Sequence, residues 1–224
     1  MRDHLSTRIA MVEALQSMAA LGLNKGTAGN ISVRGKEGFH ISPTGLPYAG
    51  MTPEQIVFMD WEGRYQGDIL PSSEWRFHRD ILLERPELNA VVHTHSIHAT
   101  AVSVLGHDIP AIHYMVAAAG GHNIRCARYQ TFGSAELGQA VLVAMKDRRA
   151  CLMAHHGMIA AHANLTQAMA LAVTVEEMAQ LYLQVLAFGA PKRLSDDEMA
   201  RVLEKFRTYG QQADSAPDTS HQAA

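Results

Sequence analysis

At 224 residues with 47% hydrophobic content, the chain holds enough apolar material for one sizeable core, and a single domain is expected. The 19 Lys and Arg against 22 Asp and Glu leave a formal charge of −3, and no basic run is long enough to grip a nucleic acid or an anionic membrane. With no run of about 18 apolar residues, no leader-like start, and two cysteines (Cys126 and Cys151) that form neither a disulfide framework nor a CxxC pair, an unexported cytoplasmic protein is expected.

From Leu5 to Leu23 the apolar residues Ile9, Met11, Val12, Leu15 and Met18 recur at helical intervals, and Gly22 and Asn24 close the segment. Short β-rich runs follow at Asn30 to Arg34, Phe39 to Ile41 and Ile56 to Asp60, punctuated by Ser42-Pro43-Thr44-Gly45 and Met51-Thr52-Pro53. Helical spacing returns from Ser73 to Arg85, and Pro86 ends it. The apolar run Ala90-Val91-Val92 continues into His93-Thr94-His95 and suits a buried strand. Helices are expected from Ser96 to Val104 and Ser134 to Arg148, with a strand at Ala150 to Ala154. Two more follow at Leu165 to Phe188 and Ser195 to Tyr209, where Ser195 and Glu198 have the spacing of a capping box. This alternation predicts an α/β domain over residues 1–210, and residues 211–224, too polar to pack, predict a frayed tail.

Of 13 histidines, spacing singles out His93 and His95. Residues i and i+2 of a strand share a face, so the pair aims two imidazoles at one point, which suits either a metal or an ordinary polar strand end. His155 and His156 follow another apolar run, and extended neighbours face opposite ways, so one of the two can join them. Spacing does not say which. Three histidines with an open position is the usual form of a catalytic zinc site, whereas a closed structural site more often includes Cys.

Glu74 stands behind Ser72 and Ser73 at a predicted helix start, where a carboxylate is also favourable merely against the helix dipole. Three Ser, Thr and Gly-rich stretches, Gly26 to Asn30, Ser42 to Gly45 and Ser72-Ser73, read as candidate phosphate-binding helix N-termini or as plain turns. No GxGxxG or GxxxxGK[ST] occurs, so nothing suggests a dinucleotide or a nucleoside triphosphate.

The segments GTAGNISVR, ISPTGLPYAGMTPEQIVF, LPSSEWRFH, NAVVHTHSIHATAVS, IPAIHYMVAAAGG, MAHHGMIA and LEKFRTYG occur in that order between about Leu5 and Gly210. Together they resemble the class II aldolase and adducin-head superfamily, and within it the fuculose-phosphate aldolases. The resemblance implies that His93, His95 and His156 ligate one Zn²⁺ per subunit, with Glu74 as the catalytic carboxylate and a further ligand when no substrate is bound. It implies a phosphate and substrate pocket of Gly29, Asn30, Thr44, Gly45, Ser72, Ser73 and Phe132. Tyr114 is implied as a proton donor supplied by a neighbouring subunit, and Phe206 and Tyr209 as part of a C-terminal segment covering the site. Thr94 departs from the Asn common between the two histidines.

The implied fold is a three-layer α/β/α domain on a largely antiparallel sheet, assembled as a homotetramer. The implied reaction is zinc-dependent, reversible cleavage of a phosphorylated ketose to dihydroxyacetone phosphate and an aldehyde. Candidate substrates are L-fuculose 1-phosphate and the 5-deoxy- and 5-methylthioribulose 1-phosphates. The superfamily's pentulose-phosphate 4-epimerases and its non-enzymatic adducin-like interaction modules are the alternatives. The epimerases resemble Asp where Glu74 stands, and an interaction module predicts a degraded metal site. A Schiff-base mechanism needs a desolvated lysine, and Lys25, Lys36, Lys146, Lys192 and Lys205 all lie in polar or terminal surroundings.

Overall fold

Every residue of Ala90–Thr94 is buried, and successive side chains part company: Ala90 and Val92 join one apolar cluster, Val91 another. A strand covered on both faces belongs at the centre of a sheet with helices above and below. The computed structural model, which describes residues 2–208, has that arrangement.

Its strands are β1 (Asn30–Arg34), β2 (Gly38–Ile41), β3 (Val57–Asp60), β4 (Ala90–Thr94), β5 (Arg125–Ala127), β6 (Ala150–Met153) and β7 (Gly157–His162). They lie in the order β3-β2-β1-β4-β7-β6-β5, antiparallel throughout except for the parallel β5–β6 pair. The helices are α1 (Arg2–Ala20), α2 (Trp75–Glu84), α3 (Ile97–Val104), α4 (Ala135–Ala144), α5 (Leu165–Leu186) and α6 (Asp196–Phe206). One face is covered by α1, α3, α5 and α6, through residues such as Leu15, Val102, Val175 and Met199. The other is covered by α2 and α4, through Phe77, Ile81, Leu137 and Val141. Three layers result, as the resemblance implies. Among the described residues, no helix is long and apolar enough to cross a membrane.

Strands β5 and β7 escape the sequence reading. The first has three residues, and the second reads GMIAAH, whose glycine and alanines give little β signal. The 3-10 helix Tyr114–Ala119 was not expected either. The helix expected to run to Arg148 ends at Ala144, because the chain turns away through Asp147, whose φ of 57° is left-handed. Ser195 does cap α6 by accepting from the Glu198 N–H at 3.2 Å. The Glu198 carboxylate pairs with Arg201 instead of closing the expected capping box. Tyr209 and the tail at 211–224 lie outside the described residues.

Candidate metal centre

Two registers bring the site together. Antiparallel pairing of β4 with β7 sets Thr94 opposite Met158, so His95 and His156 leave the sheet at the same end of neighbouring strands. Pairing of β1 with β4 sets Asn30 opposite His93. Gly157 follows the turn that carries His156, and a Cβ there would run into the Thr94 carbonyl and within 3.2 Å of His95. His155 and His156 sit in that turn and not on extended chain, and His155 takes a left-handed φ of 55°. The turn sends the His156 imidazole to His93 and His95, with ring centroids 4.9 Å from each. The His155 ring lies instead on the cavity wall, 6.0 Å from the Tyr129 ring.

Glu74 caps α2 by position but not by chemistry, since its side chain makes no cap hydrogen bond. The carboxylate turns the other way. Its Oε1 lies 3.1 Å from His156 Nε2 and its Oε2 3.3 Å from His93 Nε2. Favourable placement against the helix dipole therefore does not account for it.

One donor atom from each of Glu74, His93, His95 and His156 falls within 4.8 Å of the others. His93 Nδ1 donates to the Met158 carbonyl at 2.9 Å, which leaves its Nε2 as a bare lone pair facing His95 Nε2 at 3.0 Å. Burial, then the neighbouring His93 and His156, push His95 down to about 4, so it is neutral at physiological pH. Glu74 Oε1 is buried without a hydrogen-bond partner. A buried oxygen and a bare imidazole nitrogen converging at these distances are costly side by side, and a divalent cation satisfies both. The residues present fit a metal.

A cavity of about 310 Å³ opens onto this cluster. Gly29, Asn30, Thr44, Gly45, Ser72, Ser73 and Phe132, all expected at the pocket, line it. No Lys or Arg does. Only Ser72-Ser73 precedes a helix; the other two Gly-rich stretches flank strands, because the β1 and β2 ends form that rim. The Thr44 and Ser72 N–H groups are committed to the Leu70 and Ser42 carbonyls, both at 3.0 Å, so hydroxyls are what these two residues present.

Tyr114 and Phe206 do not reach this cavity. They line a separate groove with Ile112, His113, Leu194 and Val202, because α6 packs on the 3-10 segment. Thr94 is buried on the opposite face of β4 from His93, with its hydroxyl 3.3 Å from Ser96 Oγ, and does not meet the cavity. Sequence reasoning missed three supports. Asn24 Oδ1 accepts from the His95 N–H at 2.9 Å, Tyr48 donates to the Gly29 carbonyl, and His78 touches Asn30. Asn24 was legible only as a helix stop, and Tyr48 carried no local signal.

The family model for the class II aldolase and adducin N-terminal domain matches residues 9–183. The 5-methylthioribulose-1-phosphate/5-deoxyribulose-1-phosphate aldolase of Rhodospirillum rubrum is 54% identical over 211 residues, 94% of this chain and 96% of that protein. The L-fuculose phosphate aldolase of Escherichia coli is 53% identical over 210 residues, 93% of this chain and 97% of its own. A solved L-fuculose 1-phosphate aldolase superposes with a TM-score of 0.88 at 36% identity, covering 91% of this chain and 99% of that one.

Proposed function

Because the chain belongs to the class II aldolase and adducin N-terminal domain family, we propose that it is a metal-dependent aldolase cleaving a ketose 1-phosphate to dihydroxyacetone phosphate and an aldehyde. The observation that carries this is the intact Glu74, His93, His95 and His156 cluster opening onto a cavity with hydroxyl and glycine walls. An interaction module has no use for such a cluster.

His93, His95 and His156 would hold the metal, which we take to be Zn²⁺, with Glu74 able to complete the set. When bound, it supplies a Lewis acid that stabilises negative charge on the ketose oxygens as the C3–C4 bond breaks. Glu74 moves the proton at C3, since it is the one acid or base at both the cavity and the cluster that is not an imidazole. Gly29, Asn30, Thr44, Gly45, Ser72 and Ser73 hold the phosphate and orient the reacting end by hydrogen bonds.

Tyr114, half exposed in its separate groove, exchanges the proton on the C4 oxygen in a neighbouring subunit's site, taking it as the aldehyde forms and donating it in the reverse direction. That role requires an oligomer, and a homotetramer is the proposed assembly. Phe206 lies beside Tyr114 and would reach a site in the same way. Cys126 and Cys151 are free thiols, which supports a cytoplasmic location.

The names of the similar proteins give two aldehyde halves, a lactaldehyde type and an acetaldehyde or methylthioacetaldehyde type. Dihydroxyacetone phosphate release from L-fuculose 1-phosphate and from 5-deoxy- and 5-methylthioribulose 1-phosphate tests the reading. Chelator-sensitive release from at least one is expected, and kcat/KM ranks the substrates. Absence of release from all three would overturn it.

A further inference from the structure

Behind Glu74 a line of buried side chains runs into the sheet. Glu74 Oε2 lies 2.9 Å from Asn30 Nδ2. A carboxylate only accepts, so Nδ2 donates and the amide orientation is fixed. Asn30 Oδ1 then faces His78 Nε2 and has to accept, which makes that nitrogen the protonated one. His78 Nδ1 is left bare, and Ser32 Oγ, 2.7 Å away, must donate to it. Each proton in the line follows from the carboxylate at its end.

The geometry is prepared by both elements. Asn30 and Ser32 are i and i+2 on β1 and share a face, while Glu74 and His78 are four apart at the start of α2 and stack on one side of it. All four are buried, and Ser32 and His78 are at 0% exposure, so no water replaces a lost partner at the His78 end of the line. Burial, followed by the nearness of His93, pushes His78 down to about 3, which keeps it neutral with one donor and one acceptor.

The geometry points to His78 as a positioning residue that, through the Asn30 amide, holds Glu74 with Oε2 restrained and Oε1 directed at His156. The inference rests on Glu74 being the proton-transfer group. Without the His78 donor, Asn30 loses one of the two contacts that hold its amide, and its hold on Glu74 loosens. A turned amide would set Oδ1 against Oε2, two acceptors in contact. Asn30 also lines the cavity, so the same line makes it offer an N–H, and not a carbonyl, to whatever enters.

The test compares wild type, His78→Leu and His78→Gln as zinc-loaded proteins. Gln can place an amide N–H near the position of His Nε2; Leu cannot. His78→Leu is expected to lose kcat by roughly 10- to 100-fold, the range for partners that orient a ligand. Zinc stoichiometry should hold, KM should rise as Asn30 loses its fixed N–H, and His78→Gln should recover most of both losses. Equal kcat in all three, or equal loss in Leu and Gln, overturns the inference. If the wild type releases no dihydroxyacetone phosphate, the functional reading fails by itself. The ¹⁵N imidazole spectrum of the wild type then decides for the line of hydrogen bonds. A neutral Nε2–H tautomer at His78 upholds it, and an Nδ1–H tautomer overturns it. That spectrum also decides should His78→Leu not fold.

Discussion

At Glu74 two effects oppose each other. Burial disfavours the charged carboxylate, while the neighbouring His93 and His156 favour it, and the second effect wins, holding the group well below the usual carboxylate range. A bound cation would act in the same direction. Ionised in the resting site, Glu74 can take the C3 proton in the condensation direction and return it in cleavage. Glu74→Gln keeps the shape and removes the basicity, so turnover should fall by about 10²- to 10⁴-fold with zinc still bound, as read by kcat and elemental analysis. Unchanged turnover would remove Glu74 from the chemistry.

His78 gives a pH signature for the fold. Its folded pKa of about 3 lies below that of an exposed imidazole, about 6.5. Between those values the unfolded chain binds a proton that the folded chain refuses. The contribution is therefore fully present above about pH 6.5 and is lost as pH falls toward 3, by up to about 1.4 kcal/mol per pH unit. Urea titrations of metal-free protein at pH 7, 6 and 5 should show a steeper loss for wild type than for His78→Gln. Parallel slopes would mean that His78 titrates alike in both states. None of this was legible in sequence, where His78 lay without distinction inside the helical span Ser73 to Arg85. Its meaning depends on Ser32 and Asn30, which a different strand supplies.

Among the elements, β4 was the most legible, and for a physical reason. A period of two converts His93-Thr94-His95 directly into two imidazoles on one side and a hydroxyl on the other, and the structure keeps that separation. The choice between His155 and His156 was not legible from periodicity, because the chain there turns with a left-handed residue. Local rules also located the start of α6. Ser195→Ala removes its cap and should cost about 1 kcal/mol, seen as a lowered midpoint in thermal unfolding. Because α6 carries Phe206 against the groove of Tyr114, the same substitution should reduce activity only if that groove matters. The loops were the least legible elements. Gly29 has a φ of +75°, and a Cβ there would come within 2.6 Å of the His93 carbonyl, a constraint set by a strand more than 60 residues away.

For the whole molecule, the separation of Tyr114 from the cavity has a consequence. Tyr114→Phe and Glu74→Gln should each be nearly inactive alone. If Tyr114 serves a neighbour's site, subunits mixed by unfolding and refolding together should regain part of the wild-type rate. A mixture as inactive as its parents, or a monomer in sedimentation, would contradict the shared site. Sequence periodicity reached the α/β class and the resemblance supplied the three layers, since strand order and register depend on pairings across the chain.

In the proposed reaction three imidazoles hold one catalytic metal, with Glu74 able to complete the set. The direct measurement is titration of Zn²⁺ into chelator-stripped protein while following dihydroxyacetone phosphate release from the best of the three ketose 1-phosphates. Activity should rise linearly and saturate at one zinc per chain, with His95→Ala failing to recover at that stoichiometry. Full activity in the stripped protein, or full recovery by His95→Ala, would contradict the account.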